Sequence, residues 1–169
     1  MTSAHDPRPT SPRRRIDRAA LPKITLATNR KARHDYFISH VVEAGIVLVG
    51  SEVKSLRTAT PNLQDGYGRV EADAVWLYGV HIPPLPQASI FNHEPLRKRK
   101  CLLHRKELRK LEGLVGPAGT TIVPLSLYFL GPKAKVELGV GRGKTQIDKR
   151  DSIKKREADR ETRRAVRRG

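Results

Sequence analysis

The chain has 169 residues, and its 34 lysines and arginines outnumber its 17 aspartates and glutamates, which gives a formal net charge of +17 at pH 7. Residues 1–34 and residues 142–169 each carry a net charge of +7, whereas residues 35–141 carry only +3. The single cysteine excludes an internal disulfide framework, and no apolar run approaches the length of about 18 residues that a membrane span needs.

This charge distribution predicts a nucleic-acid partner, because lysine and arginine bind phosphates and release condensed counterions. The alternative is that the charged ends only keep the chain soluble. We also expect a cytoplasmic, monomeric protein with no membrane partner and no signal peptide, since the amino end lacks a hydrophobic region.

Three segments are predicted along the chain. Residues 1–22 are rich in proline and arginine and lack periodicity, so we expect a disordered basic arm. Residues 23–145 are expected to form one RNA-binding core. Residues 146–169 are a basic tail with almost nothing apolar to bury, and we expect it to be disordered when free and helical when bound.

The first half of the core predicts short strands. Apolar, β-branched runs at residues 36–38 and 44–49 predict one or two buried strands. Ser51 is expected to cap a short helix. Asp65 and Gly66 indicate a turn, and residues 70–82 predict two strands about a turn at residues 71–73. Within this hairpin Trp76 and Tyr78 share one face, and we interpret both as core residues rather than stacking platforms.

The second half predicts one helix and two strands. Leucines near a 3.6-residue period predict a helix over residues 101–115, which Gly116 and Pro117 end. Residues 121–130 predict a strand, Gly131 and Pro132 a turn, and residues 135–138 a return strand. The predicted fold class is mainly β with flanking helices, an OB-like closed antiparallel β-barrel with a basic C-terminal tail, although another small α+β fold remains open.

Three basic clusters are candidate RNA contacts, since arginine grips phosphate in a fork and lysine acts as a point charge. The first cluster supplies Asn29, Arg30, Lys31, Arg33 and His34. The second cluster supplies Arg99 and Lys100. In the third cluster, Arg142 and Lys144 flank glycines that could let the backbone approach a phosphate. The alternatives are a solvated strand edge, a hydrated helix face and a flexible strand exit, respectively.

No catalytic, metal or cofactor site is predicted. Residues 139–145 resemble a phosphate loop, but Leu138 stands where its first glycine belongs. The histidines and the cysteine have no metal-ligand spacing. Glu43 lies among basic neighbours, and a carboxylate can accept hydrogen bonds from the amino groups of guanine or cytosine. The alternative is an ordinary loop carboxylate.

Several short stretches occur in the order typical of one known family. They are residues 29–34 (NRKARH), 43–46 (EAGI), 52–57 (EVKSLR), 99–103 (RKCLL), 143–144 (GK) and 148–150 (DKR). Across residues 24–157 the chain therefore resembles the SsrA-binding protein family, SmpB. No single stretch is specific, but their combination and order are.

The resemblance implies an OB-like barrel that binds the tRNA-like domain of transfer-messenger RNA and stands in for the missing anticodon arm. It also implies a tail that enters the decoding centre and the empty mRNA channel of a stalled ribosome, folds there into a helix and lets translation switch to the tagging frame. The residues carried over as RNA contacts are Asn29, Glu43, Leu102 and Lys144. The residues carried over as the ribosome-engaging tail are Asp148, Lys149, Arg150, Ile153, Lys154, Lys155 and Arg156.

Two departures and two rival functions accompany this prediction. Ile147 stands where the family commonly has histidine or tyrosine, so stacking at that position is in doubt. Cys101 replaces a usual leucine, which is a tolerable apolar exchange. The rivals are a ribosomal or general RNA-chaperone protein, and a ribonuclease that uses His34 and Glu43. The predicted function is a non-enzymatic adaptor in ribosome rescue, or trans-translation.

Overall fold

The computed structural model describes residues 21–86, 92–116 and 119–145. Within them the strands are β1 (Lys23–Thr28), β2 (Tyr36–Ile46), β3 (Tyr67–Glu71), β4 (Ala74–Tyr78), β5 (Arg99–Leu102), β6 (Thr120–Leu130) and β7 (Lys133–Gly143). The helices are α1 (Arg30–Asp35), α2 (Gly50–Thr58) and α3 (Arg105–Val115). Among the described residues, no helix combines the length and the apolar character needed to cross a membrane.

The strands form one antiparallel sheet in the order β1-β6-β3-β4-β5-β2-β7, and β6 also pairs with β7. The pairings of six strands therefore return to their starting point, and β1 lies beside β6 outside this ring. The long partners β2 and β7 run antiparallel from Tyr36 opposite Gly143 to Gly45 opposite Lys135. This pair places the two ends of β2 at well-separated points of the surface.

The main core is enclosed by these strands and by α3. Its fully buried side chains include Val75 and Leu77 of β4, Leu111 of α3 and Leu138 of β7. Their burial follows from the alternation of the strands, which turns every second side chain inward.

A second, smaller cluster packs on the other face of β7. It contains Ala32 of α1 with Val123 and Leu125 of β6. Side chains at Gly139 and Gly141 would prevent this packing, because a Cβ at either position would lie 2.9 Å from a neighbouring side-chain carbon. These two glycines therefore let side chains of β2 and β6 pack over β7, whereas Gly143, between Arg142 and Lys144, meets nothing within 4 Å.

Several predicted elements are confirmed. The hairpin about residues 71–73, the strand over residues 121–130 and the return strand are present, the last extending from Lys133 to Gly143. The turn at Asp65 is present, with the Gly66 N–H donating to the Leu63 carbonyl at 3.1 Å.

Other predictions are wrong. Residues 36–46 form a single strand that alternates between exposed and buried side chains, so it is not buried throughout. Helix α2 begins after Val49, whose N–H donates to Glu52 Oε2 at 2.8 Å, so Ser51 is not its cap. Helix α3 begins at Arg105, because residues 99–102 form β5 instead.

The predicted tail, residues 146–169, lies outside the described residues, as do residues 1–20 of the predicted arm. The division into arm, core and tail therefore stays a prediction.

Candidate nucleic-acid interface

Asn29 fixes the start of α1 at one end of the sheet. Its side-chain oxygen accepts a hydrogen bond from the Ala32 N–H at 3.0 Å, and its side-chain nitrogen donates to the Leu63 carbonyl at 2.9 Å. Asparagine is a favoured residue at this position, since its side chain satisfies an otherwise unpaired helix N–H. Because Asn29 is only 3% exposed, it has almost no surface to offer RNA, and its role is to position the helix.

The cations of α1 point to solvent because the helix buries Ala32 against the sheet. Arg30, Lys31 and Arg33 are exposed. His34 is half-buried, with its Nδ1 atom 2.9 Å from the Asp35 carboxylate. The predicted basic cluster is thus displayed on one short helix.

Phe37 is the aromatic centre of this end of the molecule. It follows α1 in β2, is 53% exposed and lies opposite Arg142 of β7. The Lys144 ammonium lies 4.7 Å from the centre of the Phe37 ring and donates to the Arg33 carbonyl at 3.2 Å. The Lys144 N–H also donates to the Asp35 carbonyl at 2.8 Å.

We call this surface the basic end. Its members are Arg30, Lys31, Arg33, Phe37, Arg142 and Lys144. Cations arranged about an exposed ring can bind phosphates while a base stacks on the ring. Sequence reasoning missed Phe37, because a β-bulge between Ile38 and His40 shifts the register of β2 and changes which side chains share a face.

A groove lies at the opposite end of β2. It is lined by Glu43, Gly45, Ile46, Leu102, Leu103, His104, Glu107, Lys133, Ala134 and Lys135. Leu102 is 56% exposed, and its β5 backbone pairs with Gly45 of β2. The structure therefore brings together Glu43 and Leu102, two predicted RNA contacts that are far apart in sequence. We call this surface the Glu43–Leu102 groove.

The carboxylate of Glu43 is held by two neighbours. It accepts a hydrogen bond from the Tyr128 hydroxyl, and its Oε1 lies 3.0 Å from the Lys135 ammonium. Burial, and then the bond to the Glu43 carboxylate, raise the pKa of Tyr128, so its hydroxyl stays a neutral donor at physiological pH. These partners orient an exposed acceptor toward the groove, and the sequence carried no signal for either of them.

Arg99 is not the surface cation that its basic neighbours suggested. It is 0% exposed, and its Nε donates to Glu52 Oε1 at 2.7 Å. Its guanidinium also donates to the carbonyls of Val80 at 2.6 Å and Pro95 at 2.9 Å. Arg99 therefore anchors the connection between β4 and β5, and its assignment as an RNA contact is corrected. The next residue, Lys100, is exposed.

Glu52 completes this buried cluster. Burial alone raises the pKa of Glu52, but hydrogen bonds from Arg97 and the Val49 N–H, together with the charge of Arg99, lower it by more. The carboxyl is therefore ionised in the folded protein, as a buried ion pair requires.

The tail residues predicted to engage the ribosome stay a prediction. All seven residues assigned to the ribosome-engaging tail lie outside the described ranges. No group of three or more histidines, cysteines, aspartates or glutamates within those ranges could hold a metal ion.

The SmpB protein family model matches residues 26–168. The chain belongs to the SmpB family. It is 53% identical over 139 residues to the SsrA-binding protein of Acetivibrio thermocellus, covering 82% of this chain and 90% of that protein. It is 50% identical over 156 residues to the SsrA-binding protein of Thermobifida fusca, covering 92% and 97%. These matches confirm the resemblance drawn from the short stretches.

One solved structure is similar in fold as well as in sequence. It is described as "tmRNA-SmpB: a journey to the center of the bacterial ribosome" and matches with a TM-score of 0.62 and 44% identity. The match covers 75% of this chain and 93% of that chain. The mainly β architecture with few helices is therefore the architecture of this family.

Proposed function

We propose that this protein is a non-enzymatic adaptor of the cytoplasm that binds the tRNA-like domain of transfer-messenger RNA and delivers it to stalled ribosomes. Ribosome rescue and tagging of the nascent chain, the process called trans-translation, would follow. The observation that carries the proposal is membership in the SmpB family, together with the similarity to a solved structure whose description names tmRNA-SmpB and the bacterial ribosome.

The architecture supports the proposal. The ring of strand pairings that returns to its start supports a small barrel, and small barrels such as the OB-fold commonly bind nucleic acids. The basic end and the Glu43–Leu102 groove lie at the two ends of the β2–β7 pair, so one elongated RNA element could contact both.

The two surfaces offer different chemistry to RNA. The cations of the basic end bind phosphates, while Phe37 offers a face on which a base can stack. In the groove, Glu43 accepts hydrogen bonds from base amino groups, and Leu102 packs against a base or ribose. The basic end would supply most of the affinity for RNA, and the Glu43–Leu102 groove would discriminate the correct RNA from others.

The tail is proposed to engage the decoding centre and the mRNA channel, where its cations meet ribosomal RNA. Two favourable charge pairs at a spacing of four residues, Asp151 with Lys155 and Asp159 with Arg163, suit a helix that forms on binding. Ile147 cannot stack there as an aromatic ring would, so its contribution would be apolar packing.

Removal of residues 147–169 tests this division of labour. We expect the truncated protein to keep most of its affinity for the tRNA-like domain but to lose tagging in a reconstituted translation system. Removal of residues 1–20 is the control, because the family match begins only at residue 26, and tagging should persist. Loss of RNA affinity as severe as the loss of tagging would contradict the proposal.

A further inference from the structure

We propose that the outer face of β3, β4 and β5 is a third RNA contact surface, which stacks unpaired nucleotides. This surface, which we call the aromatic face, consists of Tyr67, Arg69, Trp76, Tyr78, Lys98 and Lys100. It is distinct from the basic end and from the Glu43–Leu102 groove. The proposal goes beyond the function proposed above, because its ligand is a single-stranded segment rather than a tRNA-like fold.

The structure corrects the interpretation of Trp76 and Tyr78 as core residues. Val75 and Leu77 are the side chains of β4 that fill the core, and both are 0% exposed. Strand alternation turns Trp76 and Tyr78 to the opposite face, where each is half-buried. Large rings on the outside of a sheet add little to the core and are available to a partner.

Three rings form a short row across the hairpin. Tyr67 lies opposite Tyr78, with the ring centres 5.4 Å apart and the planes 14° from parallel. Tyr67 is 42% exposed, so a base can extend this stack. Trp76 lies between Arg69 of β3 and Lys100 of β5 in the pairing register, so cations flank the largest ring on both sides.

Lys98 marks the position that a base would take. Its ammonium lies 4.8 Å from the Trp76 ring centre and 6.0 Å from that of Tyr78, although its side chain is 52% exposed. A cation–π contact at such an exposed site is weaker than base stacking, so an incoming base displaces the ammonium, which can then reach the phosphate.

The charge of the face favours a polyanion over other partners. Arg69, Lys98 and Lys100 outnumber the two acids near them among the described residues, Glu71 and Glu112. Glu71 accepts a hydrogen bond from the Tyr78 hydroxyl and lies 3.6 Å from the Lys98 ammonium, so its charge is already countered. Rings interleaved with cations are the arrangement that binds single strands with little sequence preference.

Trp76 reports on the proposed contact directly, because it is the only tryptophan in the chain. The probe is an unstructured oligoadenylate of about ten nucleotides, within the usual site size for single-strand binding. We expect fluorescence anisotropy of the labelled RNA to show binding and the emission of Trp76 to be quenched over the same concentration range. The charged ends of the chain can bind the probe too, but they contain no tryptophan and cannot quench it by stacking.

Variants separate stacking from general charge. Tyr67→Ala is expected to raise the Kd of the quenching transition about tenfold, as the loss of one stacked base predicts. Lys98→Ala should lower the salt dependence of that transition. The matched controls are Ile24→Ala, an exposed apolar residue of β1, and Lys54→Ala, an exposed cation of α2, and neither should change it.

Two results would overturn the proposal. One is binding of the oligoadenylate with no change in Trp76 emission, and the other is quenching that Tyr67→Ala and Lys98→Ala leave unchanged. Affinity for the tRNA-like domain, measured on the same samples, is a separate readout, so failure of the aromatic face and failure of the proposed function are distinguishable.

Discussion

The structure buries Arg99 and exposes the adjacent Lys100, and the same substitution at each tests whether Arg99 supports the fold and Lys100 contacts RNA. Arg99→Met removes the donor to Glu52 and the hydrogen bonds that Arg99 donates to the carbonyls of Val80 and Pro95. Lys100→Met removes an exposed charge from the outer face of β5. We therefore expect Arg99→Met to destabilise the fold. We expect Lys100→Met to weaken binding of the oligoadenylate, because Lys100 lies on the aromatic face.

The magnitudes differ enough to measure. Leaving a buried charge unpaired costs about 3–5 kcal/mol, and because Arg97 still pairs with Glu52 in Arg99→Met we expect the lower end of this range, which is a large share of the roughly 5–15 kcal/mol that holds a typical domain folded. A surface substitution such as Lys100→Met usually changes the free energy of unfolding by less than about 0.5 kcal/mol. If Lys100 contacts a phosphate, its loss lowers the slope of log affinity against log salt by about one.

Urea denaturation followed by circular dichroism measures the first effect, and filter binding at several salt concentrations measures the second. We expect a much lower urea midpoint for Arg99→Met, and a normal midpoint with weaker, less salt-dependent RNA binding for Lys100→Met. A wild-type midpoint for Arg99→Met, or equal destabilisation by both variants, would refute the buried ion pair as the role of Arg99.

Three further predictions concern packing, site geometry and pH. Gly139→Ala places a carbon 2.9 Å from a leucine side chain of β6 and should cost about 1–3 kcal/mol in urea denaturation, whereas Gly143→Ala meets nothing within 4 Å; equal costs would contradict this packing. Tyr128→Phe removes the hydroxyl that holds Glu43 and should weaken binding of the tRNA-like domain in a filter assay. It should have no further effect when Glu43→Gln is already present. An undiminished effect in the double variant would mean that Tyr128 does not act through Glu43. The pKa of Glu52 is lower in the folded than in the unfolded chain, so its stabilisation is present above the unfolded pKa and is lost as the pH falls below about 4.3 and through the folded value. Glu52→Gln should lack this loss in urea midpoints measured down the acid range, and an unchanged acid slope would contradict the assignment.

The elements that were predicted correctly are those in which local pattern and tertiary packing agree. The long strand β6 is rich in β-branched and aromatic residues and is buried along most of its length. The β3–β4 hairpin has a polar turn in which Ala72 takes a positive φ of 48°. In both cases the information lies within a few residues of sequence.

The start of α3 was mispredicted because two periodicities overlap there. The leucine spacing continues upstream to Cys101, but Arg99 and Cys101 alternate with exposed neighbours as a strand does. The partner that draws Arg99 inward is Glu52, 47 positions away. No local pattern could show that a charged residue within a basic cluster is buried.

Local sequence patterns predicted part of the candidate site, but not the contacts between residues that are distant in sequence. The exposed cations of α1, with Arg142 and Lys144, followed from composition and from the resemblance. Asn29 could have been recognised as a helix cap from its place before α1. The position of Phe37 beside Lys144 depends on the β2–β7 register, which single-sequence periodicity does not supply.

The most direct test of the proposed function is binding to the tRNA-like domain of transfer-messenger RNA in the presence of excess elongator tRNA, at two salt concentrations. We predict that binding survives both the competitor and moderate salt, because shape-specific contacts add to the phosphate contacts. Binding that the competitor or the salt abolishes would mean that the charge acts without specificity, and a general ribosomal or RNA-chaperone role would then explain the chain better.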